Sequence, residues 1–235
     1  MSTTLSGATV LVTGANGGLG AEFVRQALDR GAAKVYATAR TPREWSDPRV
    51  VPLALDVTST ASIAAAVAQA ADTSIVVNNA GVLGAGGILE GTLDDLRAVF
   101  ETNFFGAVAV ARAFAPVVGA NGGGAYLDVH SVLSWIGLAG GYSASKAAYW
   151  SATNSLRLEL APQGTQVVGL HLGYTDTPMT AGIDAPMNDP ADVVRAAYDG
   201  LEVGELEVLA DQLSADVKSG LAGPIEALYP QFARV

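Results

Sequence analysis

The chain of 235 residues predicts an α/β fold: an open, doubly wound, mostly parallel sheet of about seven strands flanked by helices. Short apolar runs alternate with longer segments of helical periodicity, which is the pattern of successive βαβ units. The strands are apolar throughout, so both faces of the sheet should be covered. Hydrophobic residues make up 50% of the chain and charged residues 15%, which is sufficient for such a core. Because no shift in composition marks a boundary, we expect a single domain over residues 1–235.

The predicted elements alternate along the chain without internal repeats. Strands are expected at about 8–13, 34–39, 50–55, 74–78, 125–129, 166–170 and 205–209. Helices are expected at about 20–30, 59–70, 93–117, 142–160 and 192–201. The glycines Gly122–Gly124 predict a tight entry to the fifth strand rather than a linker. Ligands of such a sheet bind at the carboxyl ends of its strands.

Composition and charge exclude several classes of function. The chain has 13 basic and 23 acidic residues and a net charge of −10, without a basic stripe, so nucleic acid is not an expected partner. It has no cysteine, which excludes disulfides, thiolate catalysis and cysteine metal sites. His130 and His171 lie in separate apolar runs and are interpreted as strand residues, so no metal site is expected. No leader and no apolar window of spanning length is evident, and a cytoplasmic protein is expected.

The segment Thr13–Gly20 (TGANGGLG) joins the first predicted strand to the first predicted helix. Glycines let the backbone turn tightly and approach a pyrophosphate, whose charge is favoured at a helix N-terminus. The segment therefore predicts a dinucleotide-binding loop of a Rossmann-type fold. Its expected contact residues are Gly14, Asn16, Gly17, Gly18, Leu19 and Gly20.

The residue after the second strand normally decides between NAD and NADP. An acidic side chain there binds the ribose 2′-hydroxyl and repels a 2′-phosphate. Here Arg40 follows Ala39 and no acid is present. Since a guanidinium binds phosphate in two-pronged fashion, we expect NADP(H) to be preferred, with Arg43 as a second contact. NAD(H) is the alternative if Arg40 is only a solvated loop residue.

Tyr142 and Lys146 are four positions apart in a predicted helix, so both side chains lie on one face. A nearby ammonium, helped by the positive nicotinamide ring of the oxidised cofactor, favours the phenolate and should lower the pKa of the tyrosine. Tyr142 can then donate a proton to a carbonyl oxygen or accept one from an alcohol. Ser131, at the end of the fifth strand, is the candidate to hold the substrate oxygen.

From about residue 8 to residue 180, these segments in this order resemble the short-chain dehydrogenase/reductase family. The shared features are the T-G-x-x-x-G-x-G loop, Asn78–Gly81 (NNAG) and Y-x-x-x-K. The resemblance implies hydride transfer at nicotinamide C4, a homodimer or homotetramer, and a catalytic tetrad of Asn103, Ser131, Tyr142 and Lys146. The further cofactor contacts it implies are Asp56, Val57, Asn79, Ala80, Gly81, Tyr142, Lys146, Gly173, Thr175 and Thr177. The alternative for Asn103 is a buried polar residue satisfied within its own helix.

Two departures from the family pattern concern the substrate side. Ser131 and Tyr142 are eleven positions apart (142 − 131), whereas the family usually has thirteen, so the loop between them is interpreted as two residues shorter. Ser134 is the alternative to Ser131. Leu172 precedes Gly173 where the family commonly has proline, which reduces the rigidity of that loop without removing a functional group.

The segment Tyr174–Pro190, the lid segment below, is expected to cover the substrate. It carries Met179, Ile183 and Met187 with few charges. This composition favours a modest apolar aldehyde, ketone or secondary alcohol over a phosphorylated or acidic compound. The alternatives to a carbonyl/alcohol oxidoreductase are a catalytically silent cofactor sensor or scaffold, and an epimerase or dehydratase on the same fold.

Overall fold

The structure, a computed structural model, describes residues 3–84 and 86–229. Its strands are β1 (Thr9–Thr13), β2 (Lys34–Ala39), β3 (Val50–Ala54), β4 (Ile75–Asn78), β5 (Gly124–Val129), β6 (Thr165–His171) and β7 (Glu207–Leu209). They form one sheet in the order β3-β2-β1-β4-β5-β6-β7, and every neighbouring pair is parallel. The predicted sheet is confirmed, and it is wholly rather than mostly parallel.

The helices that connect and cover these strands are α1 (Gly18–Asp29), α2 (Thr60–Gln69), α3 (Leu93–Phe100), α4 (Ala107–Ala120), α5 (Gly140–Leu160), α6 (Pro190–Val203), α7 (Gln212–Gly220) and α8 (Ile225–Leu228). Because β1 lies between β2 and β4, the chain leaves β1 toward one side of the sheet and returns to the other. Loops diverge at such a reversal and leave a crevice above the carboxyl ends of the strands. A ligand is therefore expected to bind in the crevice above β1 and β4.

The sheet separates two apolar cores, as continuous apolar strands predict. On one face, Val10 and Val12 of β1 join a cluster with Phe23 of α1 and Tyr198 of α6. On the other face, Leu11 joins a cluster with residues of α2, α4 and α5, including Phe114. Burial of one such large side chain contributes about 1.5–3 kcal/mol, so the two cores hold the strand ends in fixed positions.

The helix predicted over 93–117 consists of three parts. A π-helical turn, Glu101–Gly106, separates α3 from α4. The whole run Leu93–Ala120 is long and apolar enough to cross a bilayer by length and composition. Our expectation that no segment approaches spanning length was therefore wrong. The apolar composition has a local reason, because Val110, Phe114 and Val118 are fully buried in the second core.

Two regions near strand ends show what the sequence pattern could and could not predict. Gly122–Gly124 enter β5 with φ values of 92°, 90° and 153°, and a Cβ at Gly124 would lie 1.9 Å from the Ser74 carbonyl oxygen. The predicted tight entry is confirmed. Helix α7 was not predicted, because its sequence has few large apolar residues. Its first turn is instead set by the Asp211 side chain, which caps the backbone N–H of Ser214.

Candidate active site

A cleft of about 690 Å³ opens at the carboxyl ends of the strands. Its lining combines the glycine loop, the ends of β4 and β5, the start of α5 and the segment after β6. The predicted site residues among its lining are Gly14, Gly17, Gly18, Leu19, Gly20, Arg40, Asn79, Ala80, Gly81, Ser131, Tyr142, Lys146, Gly173, Thr175 and Thr177. Asn16, Asp56, Val57 and Asn103 lie outside this lining.

The glycine loop has the shape that a pyrophosphate requires. Gly14 has a φ of 69°, and a Cβ at Gly20 would lie 2.1 Å from the Gly14 carbonyl oxygen, so the turn can close only with glycine. A Cβ at Gly17 would enter open space. Helix α1 starts here without a side-chain cap or an acidic residue in its first turn. Its N–H groups therefore remain available for an anion, and the residues fit a dinucleotide.

The loop after β2 presents Arg40 to the cleft. Asn16 fixes this loop by donating to the Thr41 carbonyl oxygen at 2.7 Å and accepting from the backbone N–H of Arg43 at 3.3 Å. Arg40 is exposed at the rim of the cleft. The Arg43 guanidinium instead stacks 4.0 Å from the Trp45 ring centroid and does not line the cleft. The structure therefore gives no support to Arg43 as a second phosphate contact, and that contact stays a prediction.

Asp56 and Val57 follow β3 without lining the cleft. Two hydrogen bonds with Thr58 lower the pKa of the Asp56 carboxyl, with a smaller contribution from Arg40. Val57 is buried in the second core and packs against Gly106. Direct contact of Asp56 or Val57 with a nucleotide stays a prediction.

The segment after β4 is held against the glycine loop by Thr13 and Asn79. The Thr13 hydroxyl accepts from the backbone N–H groups of Asn79 and Ala80 at 2.9 and 3.0 Å. The Asn79 side chain donates to the carbonyl oxygens of Thr13 and Gly14 at 2.9 and 3.3 Å. At Gly81 a Cβ would lie 3.3 Å from Asn103 Oδ1 and 3.7 Å from Lys146 Nζ. Small residues thus join the cofactor side of the cleft to the proton-transfer side.

Asn103 lies in the π-helical turn and is 1% exposed. Its Oδ1 accepts from the Val82 backbone N–H at 2.8 Å, while its Nδ2 donates to the Val82 carbonyl oxygen and to Ser145 Oγ at 2.9 and 3.1 Å. The alternative, satisfaction within its own helix, is therefore wrong. The asparagine ties the loop after β4 to α5, and π-helical turns of this kind often occur at functional sites.

Ser131 lines the floor of the cleft beside Tyr142. Its hydroxyl accepts from the Leu133 backbone N–H at 3.1 Å and donates to the Leu172 carbonyl oxygen at 3.4 Å, a long bond that a better acceptor can replace. Ser134 is also buried, but it does not line the cleft. The geometry therefore favours Ser131 over Ser134 as the residue that holds a substrate oxygen.

Burial determines the proton affinity of Tyr142. It raises the pKa of the phenol to about 12, and the hydrogen bond with Ser131 opposes this only in part. The Lys146 ammonium lies 5.8 Å from the phenol ring centroid. The lowered pKa that we predicted for Tyr142 is therefore wrong for the chain alone. At neutral pH the phenol is protonated, which is the state that donates a proton.

Lys146 is buried beneath the phenol. Its Nζ donates to the Val129 carbonyl oxygen at 2.7 Å. Burial lowers the pKa of the ammonium to about 8, against the opposing charge of Asp128. Asp128 itself is fully buried and accepts from Tyr149 at 2.6 Å, Thr153 at 2.7 Å and Asn78 at 3.3 Å. Three donors around one carboxylate stabilise the anion.

The rings of His130 and His171 pack against each other, and that of His130 also packs against Tyr149 of α5. Burial lowers the pKa of His130 well below its usual value and also lowers that of His171. Both are therefore neutral at physiological pH. The rings of His130 and His171 lie 4.9 Å apart, and Trp135 stacks on His171 at 3.9 Å. In the described ranges 3–84 and 86–229, no three His, Cys, Asp or Glu side chains cluster to hold a metal.

The substrate side of the cleft differs in part from the prediction. Met179 of the lid segment lines the cleft, whereas Ile183 and Met187 do not. The lid segment turns back on itself instead, because Asn188 pairs through its backbone with Tyr174 and Asp176. Leu213 of α7 supplies part of the apolar wall. The remaining apolar lining comes from Leu83, Val129, Val132, Leu133, Ile136, Leu138, Leu172 and Pro178.

Comparison with known proteins gives concordant results. Residues 8–188 match the family model for short chain dehydrogenase. The chain is similar to a crystal structure of a short chain dehydrogenase from Burkholderia cenocepacia in complex with NADP, with a TM-score of 0.92 and 35% identity over 98% of this chain and 100% of that one. It is 36% identical to 1-deoxy-11-beta-hydroxypentalenate dehydrogenase of Streptomyces exfoliatus over 80% of this chain and 75% of that protein. It is 31% identical to a 3-alpha-(or 20-beta)-hydroxysteroid dehydrogenase of Mycobacterium bovis over 95% and 88% of the two chains.

Proposed function

Because the chain belongs to the short-chain dehydrogenase family of oxidoreductases, we propose that it interconverts a ketone or aldehyde and the corresponding alcohol with NADP(H), as an enzyme of class EC 1.1.1.-. One observation carries the proposal. The hydroxyl groups of Ser131 and Tyr142 meet at the floor of the cleft above the Lys146 ammonium. A carbonyl oxygen placed between the two hydroxyls meets one hydrogen-bond donor and one proton donor.

The side chains perform the proton chemistry. A bound nicotinamide cofactor supplies or accepts the hydride at its C4 atom. In reduction, Ser131 holds the substrate oxygen and Tyr142 donates its phenolic proton to it. In oxidation Tyr142 must accept the proton, so its high pKa has to fall. The positive charges of Lys146 and of an oxidised nicotinamide favour the phenolate in that direction.

The preference for NADP(H) rests on Arg40. This side chain is exposed at the cofactor end of the cleft, and no carboxylate belongs to the adjacent lining. An arginine in that position favours a 2′-phosphate over a free ribose hydroxyl. The similar structure from Burkholderia cenocepacia binds NADP, which supports the assignment.

We infer a small apolar substrate from the composition of the cleft wall. Beyond Ser131 and Tyr142, the substrate end is lined mainly by apolar side chains, and its charged lining residues, Arg40 and Lys146, lie on the cofactor and proton-transfer sides. A carboxylated or phosphorylated substrate would lose hydration there without gaining a partner.

We further infer a single-domain cytoplasmic enzyme that forms a homodimer or homotetramer. The fold is that of the short-chain dehydrogenase family. Phe105 and Leu158, which are 54% and 79% exposed on the helical surface, support association of copies.

Turnover of NADPH with a graded panel of carbonyl compounds tests the proposal. The full chain is mixed with NADPH and with apolar ketones and aldehydes of increasing size, each paired with a carboxylated analogue. We expect loss of NADPH absorbance with the apolar members only. Cofactor binding without turnover of any member would indicate a sensor or scaffold. Product formed without net NADPH consumption would indicate an epimerase or dehydratase.

A further inference from the structure

The carboxylate of Asp211 joins three segments that border the cleft. It follows β7 and accepts three hydrogen bonds. The Gly173 backbone N–H reaches its Oδ2 at 2.6 Å, and Asn188 Nδ2 reaches the same oxygen at 2.7 Å. The Ser214 backbone N–H reaches its Oδ1 at 2.7 Å. Both carboxylate oxygens are thus used, in bonds of the length typical of charge-assisted hydrogen bonds.

The first of these donors controls the backbone at the end of β6. Leu172 occupies the position before Gly173, so the chain lacks the φ restraint that a proline would impose there. Residue 173 is a glycine, the residue type with the greatest backbone freedom. A Cβ at Gly173 would lie 3.3 Å from both Asp211 Oδ2 and Leu213 Cδ2, so the backbone approaches α7 closely. The hydrogen bond from the Gly173 N–H to Asp211 therefore restrains the backbone at a place where a proline ring could otherwise do so.

The second donor controls the base of the lid segment. The Asn188 backbone N–H donates to the Tyr174 carbonyl oxygen at 2.8 Å, and its carbonyl oxygen accepts from the Asp176 backbone N–H at 3.0 Å. The two ends of the lid segment are therefore joined at Asn188. Because Asp211 holds the Asn188 side chain, one carboxylate fixes both the loop at Gly173 and the base of the lid segment.

The third donor places an apolar side chain in the cleft. The bond to Ser214 caps α7, whose second residue is Leu213. Leu213 lines the cleft, as Gly173 and Met179 do, and its Cδ2 lies close to Gly173. A change at Asp211 therefore affects the substrate wall as well as the loop.

We propose that Asp211 is a positioning residue that holds the loop at Gly173, the base of the lid segment and Leu213 in register for hydride transfer. The proposal rests on the proposed function, because it takes residues 173–177 as the contact with the nicotinamide end. Asp211 acts through these neighbours. It affects the alignment of the reacting atoms more than the affinity for the adenine end, which lies across the cleft at Arg40.

The test compares Asp211→Asn with Asp216→Asn in the full chain. Asp216 lies on the exposed side of the same helix, where it accepts from Gln212 at 2.7 Å. Asparagine at position 211 keeps one acceptor oxygen but loses the charge and the second acceptor. We expect D211N to lower kcat by about tenfold to a hundredfold, because small misplacements of reacting groups have effects of that size. The dissociation constant for NADP⁺ should stay within about threefold of the parent value, since the adenine end is untouched.

Amide hydrogen exchange gives a readout that does not require turnover. D211N should accelerate exchange at residues 173–177 and 187–189 by about tenfold or more, without changing exchange at residues of β1 and α1. D216N should match the parent in exchange and in kcat. If the parent turns over no carbonyl compound, the proposed function fails, while the exchange measurement still tests the role of Asp211.

Asn188→Ala provides a second variant that leaves the cap of α7 intact. It should accelerate exchange at residues 174–177 and 187–189 and lower kcat, and it replaces D211N if that variant does not fold. Parent-like exchange in a folded D211N would overturn the proposal. Accelerated exchange with parent-like kcat would also overturn it, since Asp211 would then be only a helix cap.

Discussion

The hydroxyl of Tyr149 donates a hydrogen bond to the carboxylate of Asp128, 2.6 Å away, in a part of the core that is closed to solvent. Burial raises the pKa of the Asp128 carboxyl, and the hydrogen bonds from Tyr149, Thr153 and Asn78 oppose that rise. The same carboxylate is the charge that counteracts the effect of burial on Lys146. Tyr149 thus helps to stabilise the buried Asp128 carboxylate, and the charge of that carboxylate acts on Lys146.

Replacing Asp128 by asparagine should change the pH dependence of carbonyl reduction. The charge of Asp128 raises the pKa of Lys146 toward its ordinary value, and without it the pKa falls below about 8. Lys146 then loses its proton at lower pH, and activity that needs the ammonium is lost with it. We expect the alkaline limb of kcat/KM for reduction to move down by about one pH unit.

Thr153→Val is the matched control for this variant. It removes one hydrogen bond to Asp128 and leaves the charge in place. The alkaline limb of kcat/KM for Thr153→Val should move down by less than that of D128N. Superimposable profiles for the parent and D128N would show that Asp128 has no electrostatic effect on Lys146.

Replacing Tyr142 by phenylalanine should abolish most turnover and leave cofactor binding nearly unchanged. Only the phenolic hydroxyl is removed, from a side chain that is 9% exposed, so packing is conserved. A positioned general acid contributes about 10²- to 10⁴-fold to the rate, and we expect kcat to fall by that amount. NADPH titration by fluorescence checks the binding. Substantial residual activity with an unchanged pH profile would contradict the assigned role.

Replacing Arg40 by aspartate should shift the cofactor preference from NADPH toward NADH. The change substitutes repulsion for attraction at a 2′-phosphate and supplies an acceptor for the free ribose hydroxyls. A hydrogen bond to a charged group contributes about 1.5–3 kcal/mol, so kcat/KM with NADPH should fall by about tenfold to a hundredfold. The kcat/KM with NADH should stay unchanged or rise. Arg43→Asp is the control, since that side chain stacks on Trp45. If R40D leaves the preference unchanged, Arg40 is only a solvated loop residue.

Replacing Glu207 by glutamine should destabilise the protein in a pH-dependent way. Burial alone would raise the pKa of Glu207, but contacts with His171, Lys218 and Trp150 lower it from 4.5 to about 2. The stabilisation by the ionised group is therefore complete above pH 4.5 and is lost as the pH falls through about 2. Because the site is partly exposed, we expect E207Q to lower the free energy of unfolding by about 1 kcal/mol near neutral pH.

Urea unfolding at about pH 7 and about pH 4 measures this difference. The difference in the free energy of unfolding between the parent and E207Q should be smaller at the lower pH. Glu159→Gln, at an exposed position on α5, should show no such difference. A difference that stays constant with pH would mean that the glutamate acts through packing rather than charge.

The strands and the glycine loop were predictable because they depend on local patterns. Apolar runs locate β1 to β7, and the predicted strand ends differ from the observed ones by at most two residues. The glycine-rich composition of the loop at Gly14 is needed in few other kinds of turn. The role of Asp211 was not predictable in this way. Its three donors come from positions 173, 188 and 214, and a sequence read in order gives no signal that these meet.

The error on Tyr142 has a different origin. The spacing to Lys146 places the two groups on one helix face, which is correct, but periodicity does not reveal how completely the core surrounds them. Desolvation dominates at this position and reverses the expected direction of the pKa change. Similarly, the composition of the lid segment does not reveal that Met179 lines the cleft while Ile183 and Met187 do not.

The ends of the sheet bear on how copies of the chain can associate. An open sheet has two free edges, and unpaired edge strands promote aggregation by adding strands from other molecules. Here one edge strand, β3, contains Pro52, which lacks a backbone donor, and the opposite edge strand, β7, has three residues. Both features hinder strand addition. Continuous intermolecular sheets are therefore disfavoured at both edges.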